Sequence, residues 1–225
     1  MSDNGADGLP LEKIPAFAQH IANFDNSIDN IGRRNSFSHY GAEWAHVGEA
    51  PFRLYKGSPT EGGIRVPAVV VYPGGRNHGS KNESPISVMD ILPTALELAG
   101  VHYAGDSYNK RKVHPVKGRS LLPILTGRTE RVRSDDDTLG IELWGKRAII
   151  KGDWKLIRMP EPEGLNEWEL FKLSVDPAEQ NNLASSEPIK LAEMIRAWEQ
   201  YVAANNVVLP TGVFKVRESS EKPTR

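Results

Sequence analysis

Not one cysteine occurs in the 225 residues of this chain. That absence excludes disulfides, thiolate metal centres and a cysteine nucleophile within the sequence. It leaves the compartment open, because a reduced cytosolic protein and a cysteine-poor periplasmic one share it. Long apolar runs are missing as well. Nothing approaches the ~18–20 consecutive apolar residues that a membrane span requires, and no basic stretch followed by an apolar one stands at the N-terminus. The polypeptide therefore reads as soluble, cytoplasmic or periplasmic, with no membrane partner. An excess of charge is absent too. With 28 basic residues against 29 acidic, bulk electrostatics gives no reason to expect nucleic acid as a partner. The densest charge mixture, GRTERVRSDDD at residues 127–137, cancels itself and reads as a solvated loop. There is no G-x-x-x-x-G-K-[ST] phosphate loop, no internal repeat and no low-complexity tract.

What is present suits a globular protein of one large domain, or one medium and one small: 39% of residues are hydrophobic and 5 are Trp. The tryptophans read as core or interface residues rather than stacking platforms. Residues 10–22 place Leu11, Ile14, Phe17 and Ile21 at helical spacing. Residues 23–41 are rich in Asn, Asp and Ser and form a long excursion of the kind that walls active sites. The nearly continuous apolar run at 66–72, bracketed by glycine pairs, predicts a strand buried on both faces. Residues 85–99 predict a helix with Pro85 at its start, Pro93 breaking or kinking it and Gly100 as its stop. A short apolar segment between turns follows at 117–127.

Beyond the charged loop the period changes. Residues 146–159 read as two short strands joined at Lys151-Gly152-Asp153, and 167–173 as a third, closed by the Asp176-Pro177 turn. A final helix presents Leu191, Met194, Ile195, Trp198, Tyr201 and Val202, with Ser186 as its cap and Glu187 and Pro188 in its first turn. Antiparallel strands followed by a helix make a small α+β unit. The boundary is expected in the loop at 128–138.

Two stretches carry candidate chemistry. In MSDNGADG, residues 1–8, Asp3 and Asn4 offer a carboxylate and an amide oxygen, the ligands hard cations take. Both can reach one ion only if the backbone bends, and Gly5 gives that freedom. The same tripeptide is also a favoured turn. In RLYKGSPTEGGIRVP, residues 53–67, Lys56 precedes a glycine-rich turn, so its ammonium can meet an oxyanion there. A surface lysine beside a strand-entry turn is the plainer alternative. Glu61 and Arg65 flank Gly62-Gly63 and can pair with each other. The six histidines form no close constellation. His39 and His46 can face a pocket from the long loop, whereas His78, His102 and His114 look like turn residues.

In chain order these stretches resemble the C-terminal part of bacterial arylsulfatases, in the alkaline-phosphatase-like superfamily. The carriers are MSDNGADG, YGAEWAHVGEAPFRLYKGSPTEGGIRVPAVVVYPGG, ISVMDILPTALELAGV, GRSLLPIL, KRAIIKGDWKLIRM and WELFKLSVDPAEQNNLA, ending with NNVVLP. Lys-Gly, three residues, then Glu-Gly-Gly-Ile-Arg-Val-Pro is the most specific marker. The resemblance implies an α/β fold: a partial alkaline-phosphatase-like sheet domain over 1–130, then a small α+β unit over 138–225 with an antiparallel sheet and a terminal helix. It implies that Asp3 and Asn4 ligate Ca²⁺ (or Mg²⁺), and that Lys56 is a catalytic residue contacting the sulfate of a small-molecule sulfate ester. Glu61 and Arg65 are structural on this reading, and the loop at 39–51 helps wall the pocket.

The resemblance also implies parts that would lie before Met1, in a missing N-terminal half: a formylglycine made from [Cys/Ser]-x-Pro-x-Arg, two further aspartate ligands, a lysine and histidines. The near-match SEPIK at 186–190 has Lys for Arg, lies on the wrong side of Lys56 and is explained by helix capping. The chain alone is thus expected to be inactive, and the strand at 66–72 to lack its neighbours. The alternatives are a non-catalytic remnant or interaction module, and a phosphonate or phosphate monoester hydrolase of the same superfamily. YGAEWAHVGEAPFRLYK resembles the arylsulfatase version of its loop, which ranks sulfate first.

Overall fold

The computed structural model describes residues 1–75, 79–103 and 105–210. In chain order its helices are α1 (Pro15–Ile21), α2 (Gly41–Glu49), α3 (Glu61–Ile64), α4 (Ile91–Leu98), α5 (Leu122–Leu125) and α6 (Pro188–Asn205). The strands are β1 (Ser107–Tyr108), β2 (Arg111–Lys112), β3 (Thr138–Leu143), β4 (Lys146–Lys151), β5 (Trp154–Arg158) and β6 (Trp168–Lys172). Compactness does not follow chain order. Met1–Ala68 groups with the described part of Thr138–Arg225, and Val69–Asp137 forms a second unit. The expected division into 1–130 and 138–225 runs along the chain instead.

The first unit is built on a four-stranded antiparallel sheet, β3-β4-β5-β6, each strand joined to the next. Two-residue turns set its register. At the first, Trp144 and Gly145 both have positive φ, as a primed hairpin turn requires; at the second, Gly152 does so within the Gly152-Asp153 turn. Alternation then sorts the side chains onto two faces. Ile149, Leu156 and Leu170 face α6 and enclose Met194, Ala197 and Trp198, with Trp154, Trp168 and Tyr201 around them. At about 1.5–3 kcal/mol for each large side chain buried, this stripe is what holds the helix on the sheet. The other face carries Ala148, Ile157, Phe171 and Ile141, and Leu54 packs on it. The glycine-rich stretch that holds Lys56 therefore rests on a sheet made some hundred residues later.

The second unit has the β1-β2 ribbon, α4 and α5. Helix α4 starts later than expected, because Ser87 and Asp90 form a capping box around a single 3-10 turn at Val88–Asp90. Pro93 neither breaks nor kinks it: it falls in the first turn, where a missing N–H costs nothing. Gly100, at φ +66°, ends the helix as expected. Asp90 is fully buried and accepts from Arg133 Nη1 and Nη2 (2.8 and 2.6 Å), Arg119 N–H (2.7 Å) and Ser87 N–H (2.7 Å). The charged stretch at 127–137 is thus not wholly a solvated loop, since Arg133 is drawn inward by this carboxylate.

Several other expectations need correction. No strand forms at 66–72; Val69 and Val71 are 84% and 90% exposed. A strand needs a hydrogen-bonding neighbour, and, as expected for this run, none of the described strands pairs with it. Helix α2 occupies a stretch read as loop, ending just before Pro51. Strand β3 and the β1-β2 ribbon went unread. Ser186 does not cap α6: Glu187 occupies the cap position without a side-chain bond, and Ser186 Oγ donates to Leu183 O at 3.2 Å. No helix among the described residues is long and apolar enough to cross a membrane. His78 lies outside the described residues.

Candidate functional site

The N-terminal turn is seated on the glycine-rich stretch by backbone contact. Gly5 N–H donates to Gly63 O (3.1 Å), Ser2 N–H to Pro67 O (3.1 Å), and Lys56 N–H to Ala6 O (3.0 Å). Ala6 N–H donates to Glu49 Oε1 at the end of α2. Gly5 is buried, and a Cβ there would stand 1.9 Å from Gly62 O. The glycine is needed for this close approach; its φ is not left-handed, so the conformational freedom expected of it is not what the turn uses.

On this seat Asp3 is exposed and Asn4 half-buried. Asn4 Nδ2 donates to Gly5 O at 2.7 Å, which leaves Oδ1 outside that bond. A carboxylate and an amide oxygen on one bend suit a hard cation as part of its oxygen shell. Among the described residues, no three His, Asp or Glu side chains stand together as a further metal-holding group.

Lys56 lies at the same place. Its Nζ pairs with Asp7 Oδ2 at 2.9 Å. Burial pushes the Asp7 carboxyl up, but the bonds from Lys56 and Leu9 N–H, with the charges of Lys56 and His39, outweigh it and hold the group below the ordinary carboxylate range. Tyr55 packs its ring against Gly8 and meets His46 edge-on at 4.9 Å. Burial first, then Glu163 and Glu43, push its hydroxyl up. His39 pairs with Glu12 at 3.1 Å. The two histidines singled out in the sequence are thus engaged with separate partners.

Beneath the seat is a charge cluster the sequence reading missed. Lys155, projecting from β5 and fully buried, donates to Glu61 Oε1 at 2.7 Å and stands 2.8 Å from Glu179 Oε1. Glu179 Oε2 accepts from Glu61 N–H at 2.9 Å. Burial raises the Glu179 pKa despite the neighbouring ammonium. Glu61 is therefore held chiefly by Lys155, and it also pairs, as expected, with Arg65 at 3.8 Å. Arg53, three residues before Lys56, adds a two-pronged bond to Glu169 on β6 (2.7 and 3.2 Å). A signal for Lys155 was available: in WKLIR, alternation puts it on the same face as Ile157, which is a core face.

The tryptophans divide. Trp154, Trp168 and Trp198 belong to the core beside α6, whereas Trp44 and Trp144 are 65% and 44% exposed, against the expectation for all five.

Comparison with known proteins gives the arrangement its relatives. The profile of the family described as "Sulfatase" matches residues 1–101, and that described as "N-sulphoglucosamine sulphohydrolase, C-terminal" matches residues 55–202. An uncharacterized sulfatase of Schizosaccharomyces pombe is 43% identical over 210 residues, covering 92% of this chain and 38% of that protein. An arylsulfatase of Klebsiella aerogenes is 37% identical over 139 residues, covering 60% and 29% respectively. Among solved structures, a Bacteroides thetaiotaomicron sulfatase from a locus for glycosaminoglycan metabolism superposes with TM-score 0.55 at 24% identity, over 68% of this chain and 32% of that one. The chain spans well under half the length of each of these relatives.

Proposed function

The chain belongs to the sulfatase family, and we propose that it contributes the metal-ligand turn and the substrate lysine of an enzyme that hydrolyses sulfate monoesters to an alcohol or phenol and sulfate. The observation that supports this reading is the union of the two candidate stretches. Lys56 is bound through its backbone to Ala6 and through its ammonium to Asp7, so it stands beside the turn that carries Asp3 and Asn4.

In this reading Asp3 and Asn4 hold Ca²⁺ or Mg²⁺ as two of its oxygen ligands. Such an ion, when bound, supplies positive charge that polarises the ester. Lys56 binds the sulfate oxygens and offsets the charge that builds on them as the S–O bond breaks. Asp7 holds the Lys56 ammonium until the sulfate takes its place. The seat formed by Gly62 and Gly63 fixes the bend, so neither ligand has to be ordered when the ion arrives. The nucleophile is assigned to a formylglycine on the N-terminal portion of the enzyme.

The test uses the protein expressed from its entire reading frame. Asp3→Ala should lose tight Ca²⁺ binding by calorimetry together with hydrolysis of 4-nitrophenyl sulfate. Lys56→Ala should keep the metal and raise KM. Full metal occupancy in Asp3→Ala would reduce Asp3-Asn4-Gly5 to an ordinary turn. Faster cleavage of a phenylphosphonate ester than of the sulfate would move the enzyme to the phosphonate branch of the superfamily.

A further inference from the structure

One row of side chains across the four-stranded sheet puts like charges side by side. The register aligns Glu142 of β3, Arg147 of β4, Arg158 of β5 and Trp168 of β6. Arg147, Arg158 and Trp168 each stand two residues from a side chain packed under α6, namely Ile149, Leu156 and Leu170, so the row lies on that face. The stretch carrying Lys56 rests on the other face. Lys146, beside Arg147 on β4 and pointing the opposite way, donates from Nζ to Gly57 O at 2.8 Å.

Two arginines directly opposite, with Cβ atoms about 4.5–5.5 Å apart, repel each other. The row does not neutralise them. Glu142 Oε1 accepts from Gly145 N–H at 2.8 Å, and no carboxylate among the described residues forms an ion pair with Arg147. Arg147 Nε is buried without a hydrogen-bond partner among the described residues. A guanidinium has donors only, so its charge is left unmatched by the protein. Burial first, then the Arg158 charge, push the Arg147 group down from its ordinary pKa, with the Glu142 charge opposing them. Arg158 is fixed in place: its Nε donates to Asn166 Oδ1 at 3.2 Å, and its guanidinium lies 5.7 Å over the Trp168 ring. Both arginines are half-buried, which limits how far they can spread into water.

We propose that the Arg147-Arg158 pair binds a tetrahedral oxyanion, sulfate or phosphate, which bridges β4 and β5 on the sheet face opposite the one that supports Lys56. The chemistry follows from the groups present. A planar fork of N–H donors matches the oxygens of such an anion two at a time, and two adjacent forks match a doubly charged one. The anion converts a repulsive cross-strand pair into a shared site and screens each guanidinium from the other. This site is separate from the sulfatase reading of Lys56 and does not rest on it.

The experiment uses protein expressed from the entire reading frame and carrying Lys56→Ala, which removes the other candidate anion group. Calorimetric titration with millimolar sodium sulfate, and separately with sodium phosphate, is run in a constant excess of sodium chloride. Either salt should give one saturable binding event, and the tighter of the two names the occupant. Arg147→Met and Arg158→Met, each added singly, should weaken that binding about tenfold or more, the loss of a charge-assisted contact. In chloride alone, Arg147→Met should melt at the temperature of its parent or higher, because it removes the repulsion and the buried donor while keeping the stem. Sulfate should then raise the melting temperature of the parent more than that of Arg147→Met; its general effect on stability is common to both proteins and cancels. The proposal is overturned if the parent shows no saturable binding of either anion, or if both arginine variants bind as tightly as the parent. Acetate bound as tightly as sulfate would overturn the assignment to a dianion. Hydrolysis of 4-nitrophenyl sulfate by the wild type judges the Lys56 reading by itself.

Discussion

Lys155 is the position where a single substitution should reveal what supports the site. Its ammonium lies 2.7 Å from Glu61 and 2.8 Å from Glu179, and its own side chain has no exposed surface. Lys155→Met keeps the length and packing of the stem and removes only the charge, leaving two buried carboxylates facing each other. Removing one partner of a buried pair costs about 3–5 kcal/mol, most of it the penalty for the charge left behind. For a protein of this size, each kcal/mol corresponds to about 2–4 °C, so the melting temperature should fall by roughly 6–20 °C at pH 7. Neutralising the whole cluster, with Lys155→Met, Glu61→Gln and Glu179→Gln together, should recover most of that loss, because uncharged isosteres carry no comparable desolvation cost.

The pH dependence fixes the sign. Burial already raises the Glu179 pKa with Lys155 in place. A carboxyl whose folded pKa lies above its unfolded value favours the folded state fully below that unfolded value, and the contribution fades as pH rises through the folded pKa. Removing the ammonium raises the folded pKa further. The deficit of Lys155→Met should therefore be small near pH 4.5, the ordinary glutamate value, and widen towards neutrality. Thermal unfolding followed by circular dichroism at several pH values measures it. A Lys155→Met protein as stable as the wild type at pH 7, or a triple variant less stable than the single one, would refute the reasoning.

Two further outcomes follow from single contacts. Gly5→Ala places a methyl group 1.9 Å from a backbone carbonyl, so no rotamer change relieves it; it should lift the N-terminal turn, weaken the Ca²⁺ binding proposed for it and destabilise the protein by about 1–3 kcal/mol, measured by calorimetry and thermal unfolding. Arg133→Met strips the buried Asp90 of its guanidinium and should cost about 3–5 kcal/mol. Amide hydrogen exchange at Ser87 and Arg119, whose N–H groups bond the same carboxylate, should quicken, while the amides of β4 and β5 keep their protection.

How much of this was legible depends on the range of the interactions. Local signals were read well: the Gly152-Asp153 hairpin, the alternation of β6, the three-and-four spacing of α6 and the Gly100 stop each depend on a few neighbouring residues. Signals whose meaning depends on distant partners were misread. The run at 66–72 is as apolar as a buried strand; its neighbours were expected to be missing, and without them among the described strands it does not form a strand at all. Ser186-Glu187-Pro188 reads as a cap, but the serine hydroxyl is drawn back to Leu183. Arg133 sits in a charge-balanced stretch that looks solvated, and only the fold reveals Asp90 beside it. The candidate residues themselves were visible in local motifs. Their support was not, because Lys155 and Glu179 lie far along the chain from the Glu61 they hold.

That separation also explains why the compact units cut across chain order. A turn rich in glycine is soft by composition, since each glycine loses much backbone entropy when fixed. Gly62 and Gly63 cannot carry larger side chains, because a Cβ on either would stand 2.1 Å from a backbone oxygen. Stiffness must therefore come from outside the turn. It comes from the sheet face that carries Lys155, Phe171 and Glu169, through contacts spanning 94 residues to Glu61 and 116 to Arg53. Contacts of such sequence separation form late, after the entropy of closing the intervening loop has been met. Physical support runs in one direction: the sheet face offers Lys155 to Glu61 and so holds the Gly62-Gly63 turn, and the bend bearing Asp3 and Asn4 rests on that turn. The two short candidate motifs are thus held in place by a sheet that carries neither of them.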